Sequence, residues 1–339
     1  MSDPRFDVLG IGNAIVDIIA RCDDGFIAKH GLDKGHMHLV DAARSAHIYA
    51  DMGPAIETSG GSAANTIAGV ASFGGNGAYF GKVADDTFGK IFRHDIHSLG
   101  IDFESRPVDP EGPPTATSMI LVTPDGERTM NTHLGACVLL DEADVDQAKV
   151  AAARITYLEG YLFDRPAAKR AFALAARHAH ASGRKVALSL SDAFCVDRHR
   201  EEFLELIRTS IDIVFANTAE ITSLYQTADF SAACQNIAAD APLAAITRGA
   251  QGSLIVCASQ QIEVLPEPVA RVVDATGAGD LYAAGFLFGH ARGAPLTVCG
   301  RLASLAAAEA ISQLGPRPAA RLADLAAGKG IAVPPPRDR

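Results

Sequence analysis

The 339-residue chain has no tryptophan, and aromatic residues make up only 6% of it, so few rings could stack against a planar ligand. Cysteine is sparse and scattered. Cys22, Cys137, Cys195, Cys234, Cys257 and Cys299 form no CxxC pair and no Cys/His ligand spacing. That pattern fits a reducing compartment, disfavours structural zinc, and reads by default as six small buried hydrophobes. No uncharged apolar run approaches the roughly 18 residues of a membrane span. The start, MSDPRFDVLGIG, has neither a basic leader nor a long apolar stretch. A soluble, cytoplasmic protein is expected. Basic residues are outnumbered, 30 against 40, for a net charge of −10, which leaves no basic stripe for nucleic acid. A local nest of backbone N–H groups could still hold a phosphate. Three catalytic signatures are missing: the G-x-x-x-x-G-K-[ST] phosphate loop, the G-x-S-x-G elbow and HExxH.

What is there is 48% apolar, long enough for two domains or for one large α/β domain with an insertion. Short β-rich runs alternate with Ala-rich helical stretches, the pattern of a mainly parallel, doubly wound sheet with helices on both faces. Strands are expected at 6–11, 78–83, 155–159, 185–189, 213–216, 244–247 and 253–257. Helices are expected at 63–72, 88–99, 166–181, 200–209, 219–225, 279–291 and 296–312. Residues 115–122 and 128–134 flank Pro124-Asp125-Gly126, a turn triplet, and so read as a β-hairpin. With short strands at 16–21 and 37–40, it implies a small second sheet built from insertions, placed to cover a site. One domain over 1–330 is expected, its small sheet drawn from about 14–21, 36–41 and 114–134. A Pro-rich tail over 331–339 is expected to fray.

Four motifs carry chemistry. Asp274-Ala275-Thr276-Gly277-Ala278-Gly279-Asp280 precedes the apolar helix LYAAGFLFGHA. Small residues there let the backbone approach an anion, and the helix start aims free N–H groups at it. Asp280 at that mouth is unnecessary for holding phosphate but is well placed to take a proton from an attacking hydroxyl. Read blandly, it is an Asp near a helix N-terminus after a Gly-rich turn. Gly60-Gly61-Ser62-Ala63-Ala64-Asn65 opens a second Ala-rich helix, where Asn65 offers both a donor and an acceptor to sugar hydroxyls. Gly10-Ile11-Gly12-Asn13-Ala14-Ile15-Val16-Asp17 follows the first strand. A dinucleotide fingerprint fails there, because its third glycine would fall on Ile15, whereas Asp17 could grip a vicinal diol. Asn217-Thr218-Ala219-Glu220 is a capping box that could also orient water on Mg²⁺. Thr247-Arg248-Gly249-Ala250-Gln251-Gly252 is either a turn or a nucleotide loop.

The order of these motifs resembles the ribokinase-like (PfkB) family of small-molecule kinases, over roughly residues 6–318. The resemblance implies a central sheet with a β lid and ATP-dependent phosphorylation of a primary hydroxyl. It implies Asp280 as catalytic base and Gly277, Ala278 and Gly279 as the anion hole. Asn217 and Glu220 would serve Mg²⁺ and phosphate, and Thr247, Arg248, Gly249 and Gly252 would lie near ATP. Asp274 and Thr276 match positions that hold a monovalent cation such as K⁺ in some members. Within the family, GNAIVDI, LSLSDAF and EGYLF look most like the adenosine kinases. That branch implies transfer to the 5′-hydroxyl of a ribonucleoside, with Asn13, Asp17, Gly60, Gly61 and Asn65 on the ribose side. Tyr161, Phe163, His133 and Leu134 would be near the base. Ala14 departs from the commoner proline after the Asn. A sugar kinase of the same fold shares every motif, and a non-catalytic binding homologue is the reading from another class. A small-molecule substrate, ATP, and a monomer or homodimer complete the expectation.

Overall fold

Strands that are buried on both faces need near-continuous apolar side chains, and the runs VLGI of β1 and IVFA of β10 supply them. The computed structural model describes residues 4–109, 111–258 and 260–335. Its strands are β1 (Phe6–Ile11), β2 (Ile15–Arg21), β3 (Met37–Leu39), β4 (Ala55–Gly60), β5 (Gly77–Phe80), β6 (Ala116–Val122) and β7 (Arg128–His133). They continue as β8 (Ala153–Glu159), β9 (Lys185–Ser189), β10 (Ile213–Asn217), β11 (Leu243–Thr247), β12 (Ser253–Cys257) and β13 (Gln260–Val264). The helices begin with α1 (Asp24–Lys29), α2 (Ala42–Asp51), α3 (Ser62–Ser72), α4 (Thr87–Ser98), α5 (Gln147–Ala151) and α6 (Pro166–Ala181). After them come α7 (Ala193–Ser210), α8 (Thr218–Leu224), α9 (Phe230–Asp240), α10 (Ala278–Ala291), α11 (Leu296–Ile311) and α12 (Leu322–Gly328).

Eight strands form the main sheet in the order β13-β12-β11-β10-β9-β8-β1-β5. The neighbours from β11 to β5 run parallel, and the β12 and β13 pairings are antiparallel. Alternate side chains serve opposite layers. Val8, Ile155, Ala187 and Ile213 pack with α3, α10 and α11, while Leu9, Leu158, Leu188 and Val214 pack with α6, α7 and α9. Helix α10 is buried without a break from Leu281 to Gly289, as its continuous apolar sequence requires. No helix among the described residues is long and apolar enough to cross a membrane.

The second sheet has five strands in the order β3-β7-β6-β2-β4. Its β2, β3 and the β6–β7 hairpin are the inserted pieces expected from sequence. The fourth piece, β4, is not legible in AIETSG, whose polar half has little strand character and which gains its partner only by pairing with β2. Edge strand β13 is missed for the same reason. Helix α7 starts seven residues earlier than expected, because non-helical dihedrals at His199 break the periodicity that marks its second part. The expected frayed tail is docked at its start: Ile331 is buried and the Pro334 carbonyl accepts from Arg292. Residues 336–339 lie outside the described residues.

Candidate active site

Two glycines with positive φ set the site's backbone. Gly61 (φ 99°) caps α3, and a Cβ there would stand 2.0 Å from the Asn13 carbonyl oxygen. Gly277 (φ 77°) caps α10, and a Cβ would stand 2.6 Å from Pro316. Only glycine adopts these turns without strain. They aim the N-termini of two helices at one another. Asp280, in the first turn of α10, accepts from Ser62 Oγ at 2.6 Å and from Asn65 Nδ2 at 3.1 Å. Burial raises its pKa above the usual carboxylate range, against the pull of those two donors. The Ala278 N–H turns back to the Ala275 carbonyl, while those of Gly279 and Asp280 belong to a first turn with no partner inside the helix. Over Gly279 a Cβ would meet nothing within 4 Å, so an anion has room against the backbone.

Two cavities meet at this turn. One, of about 380 Å³, is lined by Asp17, Gly61, Ser62, Asn65, Tyr161, Asn217, Glu220, Thr276 and the 277–280 segment. Its roof is the small sheet, through Ile15, Ser118, Ile120, Met130 and Thr132. The other, of about 500 Å³ and largely apolar, is lined by Gly249, Gly252, Pro266, Val269, Val272 and Ile311, among others. They share Thr247, Ala275, Ala278, Gly279 and Tyr282. Asp17 is pushed up to about 7 by burial, while Arg317 and Arg128 oppose the shift and Asp280 adds to it. Gly60 backs the Asp17 carboxylate so closely that a Cβ would fall 2.3 Å from it. Asn217 and Glu220 form the capping box expected of them: Asn217 Oδ1 accepts from the Glu220 N–H at 2.9 Å, and Glu220 accepts from the Asn217 N–H at 3.0 Å. Burial pushes Glu220 up to about 7.

Other expected residues stand elsewhere. Phe163 is a core residue stacked on Phe203 at 4.1 Å, and it lines neither cavity. His133 turns its Nδ1 to the Val40 carbonyl, 3.2 Å away, and Leu134 is likewise outside both linings. Arg248 stays beside its loop, 3.6 Å from Glu263 and within 3.4 Å of the Gln251 carbonyl. Asp274 acts on the turn itself. It accepts from the N–H groups of Thr276 and Gly315, and Arg128 of β7 lies 2.7 Å from its carboxylate. Asn13 sits behind the cavity, held by Glu159.

Glu159, the first residue of EGYLF, has no expected role in sequence. It is buried at the end of β8 and joins two glycine motifs, accepting from Asn13 Nδ2 at 2.6 Å and from the Ala63 N–H at 2.9 Å. Gly12 leaves space for it, since a Cβ there would fall 2.3 Å from its carboxylate. Arg317, like Arg128, has no sequence signal; it bridges Asn65 at 3.3 Å and Asp95 at 3.0 Å.

The pfkB family carbohydrate kinase model matches residues 56–321, which takes in both helix N-termini and the turn between the cavities. The chain belongs to the pfkB family. Its fold is shared with solved kinases. An adenosine kinase from Sinorhizobium meliloti is 55% identical, with a TM-score of 0.89 over 96% of this chain and 99% of that one. A probable sugar kinase from Rhizobium etli is 52% identical, with a TM-score of 0.90 over 97% and 100%. An adenosine kinase from Schistosoma mansoni, solved with adenosine and AMP, is 25% identical, with a TM-score of 0.80 over 95% and 99%.

Proposed function

We propose that this pfkB-family kinase is an adenosine kinase, transferring the γ-phosphoryl group of ATP to the 5′-hydroxyl of adenosine to give AMP and ADP. The observation that carries this reading is Asp280, fixed by Ser62 and Asn65 where the two cavities meet at an open helix N-terminus. Adenosine belongs in the cavity under the small sheet, with its ribose hydroxyls on Asp17 and Asn65 and its base between Tyr161 and the apolar roof. The larger apolar cavity suits the adenine of ATP. The Schistosoma mansoni adenosine kinase solved in complex with adenosine and AMP supports two sites for adenine compounds.

Asp280 takes the proton as O5′ attacks the γ-phosphorus, and the bond to the β-phosphate oxygen breaks to release ADP. The N–H groups of Gly279 and Asp280 in the first turn of α10 stabilise charge on the equatorial oxygens without reorganising. Asn217 and Glu220 would hold water on a Mg²⁺ ion, which supplies charge neutralisation on the phosphates. Arg128, 2.7 Å from the Asp274 carboxylate, already brings one positive charge to the position where a monovalent cation would be held by Asp274 and Thr276. The small sheet is a lid whose closure excludes water as a competing acceptor.

ADP release measured with adenosine, other nucleosides, ribose and fructose tests the substrate. Adenosine should give the highest kcat/KM, and a preference for a simple sugar overturns the assignment. Asp280→Asn should fold and bind adenosine yet lose about 10²–10⁴-fold in kcat, the usual worth of a general base.

A further inference from the structure

Away from the kinase site, α1 and α2 bring together His30, His47 and Asp51. His47 and Asp51 lie four residues apart on α2 and so share one face. His30 caps the C-terminus of α1 and faces them. One ligand atom from each residue lies within 4.8 Å of the other two. His30 Nε2 and Asp51 Oδ2 are 3.2 Å apart, close to the ~3.3 Å edge of a tetrahedron with bonds of about 2.0 Å.

The His30 side chain is only 1% exposed; its Nε2 faces the Asp51 carboxylate without hydrogen-bond geometry, and its Nδ1 has no hydrogen-bond partner among the described residues. Buried polar atoms are ordinarily satisfied, so an imidazole left in this state beside a carboxylate and a second histidine points to a missing partner. His47 and Asp51 are exposed, which opens a path for an ion from solvent.

We propose that His30, His47 and Asp51 form a Zn²⁺ site with water in the fourth position, clipping the end of α1 to the last turn of α2. Two imidazoles and one carboxylate suit zinc, whereas Mg²⁺ and Ca²⁺ take oxygen ligands. Lys29, 2.8 Å from Asp51, is the competing cation, and its largely exposed side chain can swing into solvent. The clip has a structural consequence. Helix α2 packs on the small sheet through buried Ile48, and Ser45 Oγ lies 3.1 Å from Thr117 Oγ1 on β6. Zinc binding therefore stiffens the outer layer of the sheet that roofs the substrate cavity.

The test uses the untagged full chain, stripped with a chelator and titrated with Zn²⁺ in excess Mg²⁺ against a chromophoric competitor. Wild type should bind one equivalent, show a raised thermal midpoint, and give the visible absorption of tetrahedral cobalt when Co²⁺ replaces Zn²⁺. His47→Ala and Asp51→Asn alter exposed positions, so both should keep the wild-type circular dichroism while losing the equivalent and the midpoint shift. Absence of competitive Zn²⁺ binding in wild type overturns the proposal, as does an unchanged stoichiometry in His47→Ala. Neither outcome bears on the kinase assignment, because these residues lie outside both cavities.

Discussion

At Asp17, burial favours the neutral acid while the proposed function favours the carboxylate, whose two oxygens both accept and form the stronger, charge-assisted bonds to the ribose hydroxyls. Its pKa of about 7 then sets a pH dependence for adenosine binding. Below that value the group is protonated and binding weakens. Above it the carboxylate forms and binding tightens. Calorimetric titration of adenosine without ATP should show the dissociation constant falling as pH rises through 7, then levelling. Asp17→Asn should bind roughly 10–100-fold more weakly, the worth of a hydrogen bond to a charged group, and its affinity should be flat across the same range. Asp280 and Asp17 stand in short patterned segments, which is why sequence alone singles them out as candidates. Glu159 is not singled out, because its partners Asn13 and Ala63 are distant in sequence and adjacent only in the fold.

Strand β7 shows how a correctly placed element can still present the wrong residues. The hairpin was read from its turn triplet, and His133 and Leu134 at its end were expected near the base. Side chains alternate along a strand, so Met130 and Thr132 reach the cavity, while His133 faces away toward Val40. Arg128 shares the phase of Met130 and Thr132, which lets it reach Asp274 in the turn before α10. That pair is nearly buried, with side chains 9% and 2% exposed, and it joins the small sheet to the turn before α10. Removing one partner strands a buried charge. Arg128→Met should cost about 3 kcal/mol, the low end for such a loss, because two backbone donors still serve Asp274. Hydrogen exchange should quicken in both 116–133 and 274–280. Protection lost from the hairpin alone would mean that the pair does not couple the two elements.

For the molecule as a whole, Asp17, Glu159 and Glu220 each have a pKa of about 7 in the folded state, raised first of all by burial. In the unfolded chain such groups ionise near pH 4. Between these values the folded state binds more protons, so its stability falls as pH rises and the loss is complete above about 7. The buried His30 acts in the opposite sense, but it is one group against three. Thermal unfolding of the ligand-free protein should therefore give a higher midpoint at about pH 5.5 than at about pH 8. A midpoint that rises across this interval would show that those carboxyls are not held neutral. Sequence alone determined the α/β class, the hairpin and the two Gly-rich helix starts, because strand burial, turn chemistry and positive φ are imposed by neighbours along the chain. Tertiary structure alone decided that β4 joins the small sheet, that Arg128 reaches Asp274, and that Glu159 ties Asn13 to α3. Those contacts join segments far apart in sequence, and no local periodicity or propensity encodes which buried charge will meet which partner.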